Sequence, residues 1–507
     1  MGNKSKKSDP KKAEISTDTL GDDKYKVSSF KDLNSENLRL VILNNRYAQL
    51  LILLVAIGFA LRFYNLGFNS IWLDEGTTFG YAKMGFVEIW NAVIAEFHPP
   101  LFYWLEHMMN VFGDSEFVLR FIPALFGVLA IPVFYLIGSE VVNRDVGIIT
   151  ALLVTFSPFQ IYYSQDARAY TMILLFFSIS LLAYIYALKT REMKWWIIFG
   201  IASAIAFWAH YYTIIGTGVI VLHAIVTNYR ELLKNTPFRK GFLVSIILFV
   251  ILSIPLLLLI YERYLELSAS APTYGVLGPQ LITSSIISFS GFEWWSGVLF
   301  AVLFIIGVLY LYKKSVSYMA LVVGLLLIPL IFSVILSAKI TMNPRYLIFL
   351  LPVFYLGIAS AYMPVKELIK NDKFIYAFMA VLVLVNIPFM ATYYTSYTKN
   401  DWRGFSGQLG NVTEAGDVIV VLPGYMTQPL DYYYSNETDG TIELLASSGE
   451  ELEAIYSEYP DRTLFFVVTG DINAKNPEGD AVEWLNDNTG YMGQNMGIYL
   501  FAIVPQE

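Results

Sequence analysis

The chain has no cysteine. Disulfides, thiolate metal sites and cysteine nucleophiles are therefore excluded, and the redox character of its compartment leaves no mark on the sequence. Charge is scarce as well. Only 15% of the 507 residues are Asp, Glu, Lys or Arg, where a soluble globular protein carries about 25%. The deficit extends along most of the chain and accompanies a hydrophobic content of 56%, which argues for lipid as the main solvent. The net charge of -8 gives no footing for nucleic acid.

What is present fits that solvent. A membrane span needs about 20 apolar residues. Apolar runs predict eleven spans, at 48–64, 118–139, 147–163, 169–188, 195–213, 214–228, 241–261, 295–312, 317–337, 345–363 and 374–394. The run at Leu50–Ala60 begins too late for a cleavable signal peptide and reads as the first anchor. The 45 residues before it are polar and lysine-rich, the composition of a disordered tail.

Basic residues set the orientation. With the tail in the cytoplasm, the inner loops hold Arg144, Lys189, Arg191, Lys194, Arg230, Lys234, Arg239, Lys240, Lys313, Lys314, Lys366, Lys370 and Lys373. The outer loops hold mostly isolated ones: Lys83, Arg120, Arg168, Arg263, Lys339 and Arg345. An odd count puts the C-terminus outside. The first outer loop is long, 65–117. Its stretches 78–95 and 99–112 are too short or too polar to span, and read as helices lying at the interface. A second outer segment, 262–294, reads as a loop over the membrane face. After residue 395 the apolar runs shorten to 417–422, 463–468 and 498–504, with strand character, and 447–458 and 479–487 have helical spacing. This predicts a small α/β domain over 395–507. Asn411-Val412-Thr413 and Asn436-Glu437-Thr438 match the N-glycosylation pattern within it.

Polar residues that suit chemistry gather on the outer side. Asp74-Glu75 sits between Trp72 and Phe79 early in the first outer loop. A partly desolvated carboxylate there would serve as a general base; the plainer reading is a solvated acid or a helix cap. His98 precedes Pro99-Pro100, a stiff corner that can aim a side chain into a cavity. With Glu96 and Glu106 nearby a divalent metal is conceivable, but the spacing supports it weakly. Arg120, Arg168, Lys339 and Arg345 lie at membrane boundaries, where charge is costly unless it snorkels, pairs or serves a ligand. Grouped on one side, they suit a lipid-borne phosphate, which arginine holds bidentately. The competing reading for Arg168 is a local pair with Asp166. Asp401-Trp402-Arg403, just past the last span, reads as a brace between membrane and soluble domain.

These motifs together resemble the GT-C membrane glycosyltransferases of the protein O-mannosyltransferase and aminoarabinose-transferase type. The resemblance is carried by WLDEGTTFGYA (72–82), HPPLFYWL (98–105), GDSEFVLRFIPALFGVLAIPVFYLIG (113–138), SPFQIYYSQDARAYTMILL (157–175) and, more loosely, NPRYLIFLLP (343–352) and DWRGFSGQL (401–409), followed by GDVIVV (416–421). It implies a transmembrane glycosyltransferase domain over 46–394 and a sugar donor carried on a polyprenyl or dolichyl monophosphate. Transfer would go, with inversion, to a hydroxyl of a protein, lipid or glycan outside the cell membrane. It further implies Asp74 as general base supported by Glu75, with His98, Arg120, Asp166, Arg168, Lys339 and Arg345 serving the donor phosphate and substrate. The first outer loop has no DxD, which disfavours the metal-dependent oligosaccharyltransferase branch, and no resident metal is assigned. No trefoil-like repeat is present. The competing classes are a flippase of lipid-linked glycans, which usually shows internal repeats and broken midplane helices, and a non-catalytic membrane scaffold.

Overall fold

A computed structural model of the chain describes residues 45–96, 98–267, 275–434 and 440–505. The N-terminal tail before Asn45 and the Asn436-Glu437-Thr438 sequon lie outside the described residues.

The described residues between 45 and 395 are mostly helical. The first anchor is α1 (Arg46–Phe63), begun by Asn45, whose side chain accepts from Tyr47 N and Ala48 N. Three short helices follow in the first long loop: α2 (Leu73–Ala82), α3 (Phe86–Ala95) and α4 (Leu101–Met109). None is long enough to cross a bilayer, in line with the interfacial reading, although the expected stretch 78–95 is divided at the Lys83–Gly85 corner. Exposed Phe86, Val87, Met108, Val111 and Phe112 give this region an apolar outer face.

Then come α5 (Glu116–Val141), α6 (Arg144–Thr155), α7 (Pro158–Ser164), α8 (Tyr170–Thr190), α9 (Met193–Ala209), α10 (Thr213–Thr227), α11 (Thr236–Leu267), α12 (Gln280–Phe289), α13 (Trp294–Lys314) and α14 (Val316–Leu336). They are followed by α15 (Pro344–Ile369), α16 (Phe374–Leu384) and α17 (Ile387–Thr395). Among the described residues seven helices are long and apolar enough to cross a membrane, and nine if the bent pairs α6–α7 and α16–α17 each count as one span. The chain is a multi-pass membrane protein. Each of the eleven expected spans falls on an apolar helix, but α9 and α10, broken apart at His210–Tyr212, have only 17 and 15 residues. The described residues of 262–294 are largely helical where a loop was expected: α11 runs into the segment, α12 occupies its second half, and Trp294-Trp295 open α13.

The 55° bend between α6 and α7 has a visible cause. Pro158 cannot continue the α6 hydrogen-bond ladder, so carbonyls at the end of α6 are left free. Buried Arg62 takes them up: its Nη2 donates to Val154 O (2.8 Å) and its Nη1 to Thr155 O (3.2 Å), while Nη1 also donates to Gly58 O in its own helix (3.0 Å). A cation at a helix C-terminus is favourable, and here it also satisfies a broken span.

The C-terminal domain begins at α18 (Trp402–Gly410), capped by Asp401, whose side chain accepts from Gly404 N. Its sheet has the order β2-β1-β3-β5-β4, from β1 (Val418–Leu422), β2 (Ile442–Leu445), β3 (Leu464–Thr469), β4 (Gly490–Asn495) and β5 (Ile498–Ile503). β1 pairs parallel with β2 and β3, and β5 pairs antiparallel with β3 and β4. β1 and β3 are buried at every position, as central strands covered on both faces must be. The helices α19 (Thr427–Tyr433), α20 (Gly449–Glu458) and α21 (Asp480–Asn488) flank the sheet.

This domain rests on the first long loop. Leu73 packs against its core. Ile71 N donates to Tyr433 Oη (2.8 Å), Ser70 Oγ to Asp401 Oδ1 (3.0 Å) and Thr77 Oγ1 to Gln428 Oε1. Arg403 donates to Gly67 O (2.9 Å) and pairs with Glu116, so Asp401 and Arg403 are the expected brace. Gly76 is where α2 and α19 approach most closely: a Cβ there would sit 2.9 Å from the Gln428 carbonyl carbon.

Candidate active site

The first turn of α2 points two adjacent carboxylates in different directions. Glu75 is fully buried. Arg120, on α5, grips it bidentately, Nε to Oε1 and Nη2 to Oε2, both at 2.7 Å. Arg120 spends its remaining donors on the carbonyls of Leu66, Asn69 and Ser70. Ala167 N donates to Glu75 Oε1 (2.9 Å) and Lys399 Nζ to Oε2 (2.9 Å). Burial pushes Glu75 up, but the charges of Arg120 and Lys399 outweigh it and hold the carboxyl down at about 2. A buried ion pair survives desolvation only with geometry and extra hydrogen bonds of this kind.

Asp74 faces elsewhere. Its side chain keeps 21% exposure, and its Oδ2 lies 3.2 Å from Arg345 Nη1. Arg345, at the start of α15, sits in an aromatic cage, its guanidinium 5.3 Å from the Trp72 ring, 5.5 Å from Tyr346 and 5.8 Å from Tyr170. Arg168 Nη1 donates to the Asp74 carbonyl (3.4 Å), and its guanidinium lies over Tyr103. Burial would weaken the hold of Arg168 on its proton, but Tyr103 and Asp74 keep it charged. The expected local pair of Asp166 with Arg168 is not formed. Asp166 instead accepts from Trp72 Nε1 (2.7 Å) and Lys399 Nζ (3.1 Å). Burial raises it, against the pull of Lys399.

Beside this cluster lies a small, partly open cavity, lined by His98, Pro99, Tyr103, Arg168, Ala169, Tyr170, Ala209, His210 and Tyr346. His98 therefore stands where the Pro99-Pro100 corner aims it, at a cavity wall. His98 is pushed down to about 3 by burial and then by Arg168 and Arg345, and His210 to about 3 by burial, then His98, Arg168 and Arg345. Two neutral imidazoles and three phenols thus line the cavity with one guanidinium, that of Arg168, while Arg345 packs against the rings of two of those phenols, Tyr170 and Tyr346. The arrangement can take an anion on Arg168, with Arg345 close by, and hydrogen-bond neutral hydroxyls on the imidazoles and phenols.

Of the expected residues, Asp74, Arg168, Arg345 and His98 meet at or beside the cavity, while Glu75, Arg120 and Asp166 form the buried support behind it. Lys339 does not join them. It is exposed in the turn after α14, and its ammonium has no ion pair among the described residues. Lys399, His210 and Tyr346 escaped the sequence reading. No group of three or more His, Asp or Glu residues that would hold a metal ion is found among the described residues.

Residues 97–257 match the family model described as dolichyl-phosphate-mannose-protein mannosyltransferase. The fold is similar to that of apo ArnT from Cupriavidus metallidurans, with a TM-score of 0.58 over 89% of this chain and 97% of that one, at 13% identity. It is also similar to the Archaeoglobus fulgidus oligosaccharyltransferase tethered to an acceptor peptide: TM-score 0.53, 90% of this chain and 74% of that one, 14% identity. In sequence, 186 residues are 26% identical to an uncharacterized protein of Aquifex aeolicus, covering 34% of this chain and 37% of that relative. The chain is a multi-pass membrane protein that shares its fold with these two solved structures and carries a small C-terminal sheet domain.

Proposed function

We propose that the chain is an integral-membrane glycosyltransferase. It moves a sugar from a polyprenyl or dolichyl monophosphate to a hydroxyl of a protein, lipid or glycan. The observation that carries this reading is Asp74 held 3.2 Å from Arg345, with its backbone carbonyl accepting from Arg168, which lines the adjoining cavity. A base and two cations side by side are what such a transfer needs.

Asp74 accepts the proton of the acceptor hydroxyl as its oxygen attacks the anomeric carbon. The bond from that carbon to the phosphate oxygen breaks on the opposite face, so the configuration inverts. The electron pair leaves with the phosphate, whose growing charge falls on Arg168 and Arg345. A phosphate entering the cavity competes with Asp74 for Arg345, so donor binding itself frees the base. His98, His210 and Tyr346 hold sugar hydroxyls. Glu75, Arg120 and Asp166 keep the loop in place, and Lys339 guides lipid headgroups from the rim.

In this reading the tail before Asn45 is cytoplasmic, residues 46–394 form the transferase domain, and residues 395–507 lie outside the membrane, as the distribution of Lys and Arg supports. The test is to incubate the purified protein with labelled polyprenyl-phosphate sugars and follow which is consumed. Consumption of one donor, lost in Asp74→Asn, supports the reading. A wild-type protein that consumes none, or an Asp74→Asn variant as active as wild type, overturns it.

A further inference from the structure

The connector between α17 and α18 carries a lysine that belongs to the site as much as to the C-terminal domain. Lys399 is 5% exposed, and its ammonium bridges Glu75 Oε2 (2.9 Å) and Asp166 Oδ1 (3.1 Å). Each contact is one step from a group at the cavity. Glu75 is the chain neighbour of Asp74, and Asp166 lies two residues before Arg168. The segment between is tied back by the Ala167 N to Glu75 bond. One ammonium thus fixes the backbone under both the base and a phosphate-binding arginine, which also touch each other through Arg168 Nη1 and the Asp74 carbonyl.

Lys399 is held from the side of the soluble domain. Asn400 Nδ2 donates to Met496 O (3.0 Å) in the β4–β5 turn, where Gly497 has φ +83° and packs against the Asn400 amide. Asp401 caps α18 and accepts from Ser70 Oγ. The lysine also sets the charge of the cluster. Asp74, Glu75 and Asp166 face Arg120, Arg168, Arg345 and Lys399, three negative groups against four positive. Without Lys399 the charges balance, and no surplus remains for an entering anion.

We infer that Lys399 is a positioning residue for the proposed transfer: it pins Glu75 to Asp166, and so makes the placement of Asp74 and Arg168 depend on the seating of the C-terminal domain. The inference rests on the reaction proposed above. Removing the ammonium leaves two buried carboxylates together with one cation fewer, which raises their affinity for protons.

The test uses the full chain with Lys399→Met and Lys399→Arg. In Lys399→Met, kcat falls about tenfold or more, and the acidic limb of the rate–pH profile moves up by about one unit or more. Lys399→Arg restores the limb and most of the rate. Hydrogen exchange gives a readout independent of activity: amides of 70–82 and 163–170 exchange faster in Lys399→Met than in wild type. If wild type transfers no sugar but the exchange change is seen, the transfer reading fails and the pinning stands. If wild type is active and Lys399→Met keeps its rate, pH limb and exchange, the inference is overturned. It is equally overturned if both variants lose activity only in step with a lowered thermal midpoint, with no change in the pH limb.

Discussion

Asp74 and Glu75 are adjacent in sequence, yet Glu75 is closed off by Arg120 and Lys399 while Asp74 stands beside the cavity against Arg345. On the proposed reading the pair divides into a structural acid and a reactive one, and the two should fail differently when neutralised.

Asp74→Asn is expected to lower transfer by about 100-fold or more, the scale of general-base catalysis, with the thermal midpoint close to wild type. Glu75→Gln leaves the buried charges of Arg120 and Lys399 short of a partner, a loss of about 3–5 kcal/mol. It should appear as a lower midpoint and poor yield of folded protein. Thermal unfolding in detergent, read beside activity, separates the two.

Arg345 is shared between Asp74 and the aromatic cage of Trp72, Tyr170 and Tyr346. Arg345→Lys keeps a charge but loses the planar fork and its stacking. The donor KM should rise and kcat fall, by about tenfold together in kcat/KM. Steady-state kinetics with varied donor checks this; an unchanged kcat/KM would place the phosphate elsewhere.

His98 and His210 are pushed down to about 3 by burial, with Arg168 and Arg345 adding to it. Each binds a proton more weakly in the folded protein than in the unfolded chain, where histidine titrates near 6.5. Their contribution is complete above about pH 6.5 and is lost as the pH falls toward 3. The thermal midpoint should therefore drop on acidification through this window, and the drop should be shallower in His98→Gln and His210→Gln.

Glu106, on the buried face of α4, has no hydrogen-bond partner for either carboxylate oxygen among the described residues. Burial, then the charge of Glu75, raises it well above the ordinary carboxylate range. Here the sign is reversed: the folded protein holds the proton more tightly, so stability is lost as the pH rises above about 4.5. Glu106→Gln should leave the midpoint near wild type at pH 5 and raise it at pH 8.

The apolar runs made the helical segments legible, because lipid demands long unbroken stretches. Asp74-Glu75, His98, Arg120, Arg168 and Arg345 stood out because charge or a proline corner is conspicuous in so apolar a chain. Lys399 was invisible for the opposite reason. It lies in a polar connector where a lysine is ordinary, more than 200 residues from Asp166, its partner. His210 drew no notice within the apolar run 195–213, and only packing brings it to the cavity beside His98. Lys339 was grouped with Arg345 because it stands just before it in the chain, and the turn after α14 places it at the surface, away from the cavity. In the C-terminal domain β1, β3 and β5 showed as apolar runs. β4 (GYMGQN) did not, since an exposed edge strand needs few apolar residues.

The most direct test of the central claim is the stereochemistry of a single turnover by the wild-type protein, followed by NMR with an anomerically pure polyprenyl-phosphate sugar. The account predicts product of inverted configuration, none in Asp74→Asn, and no glycosyl-enzyme adduct. Retained configuration, or turnover at the wild-type rate without the Asp74 carboxylate, would contradict it.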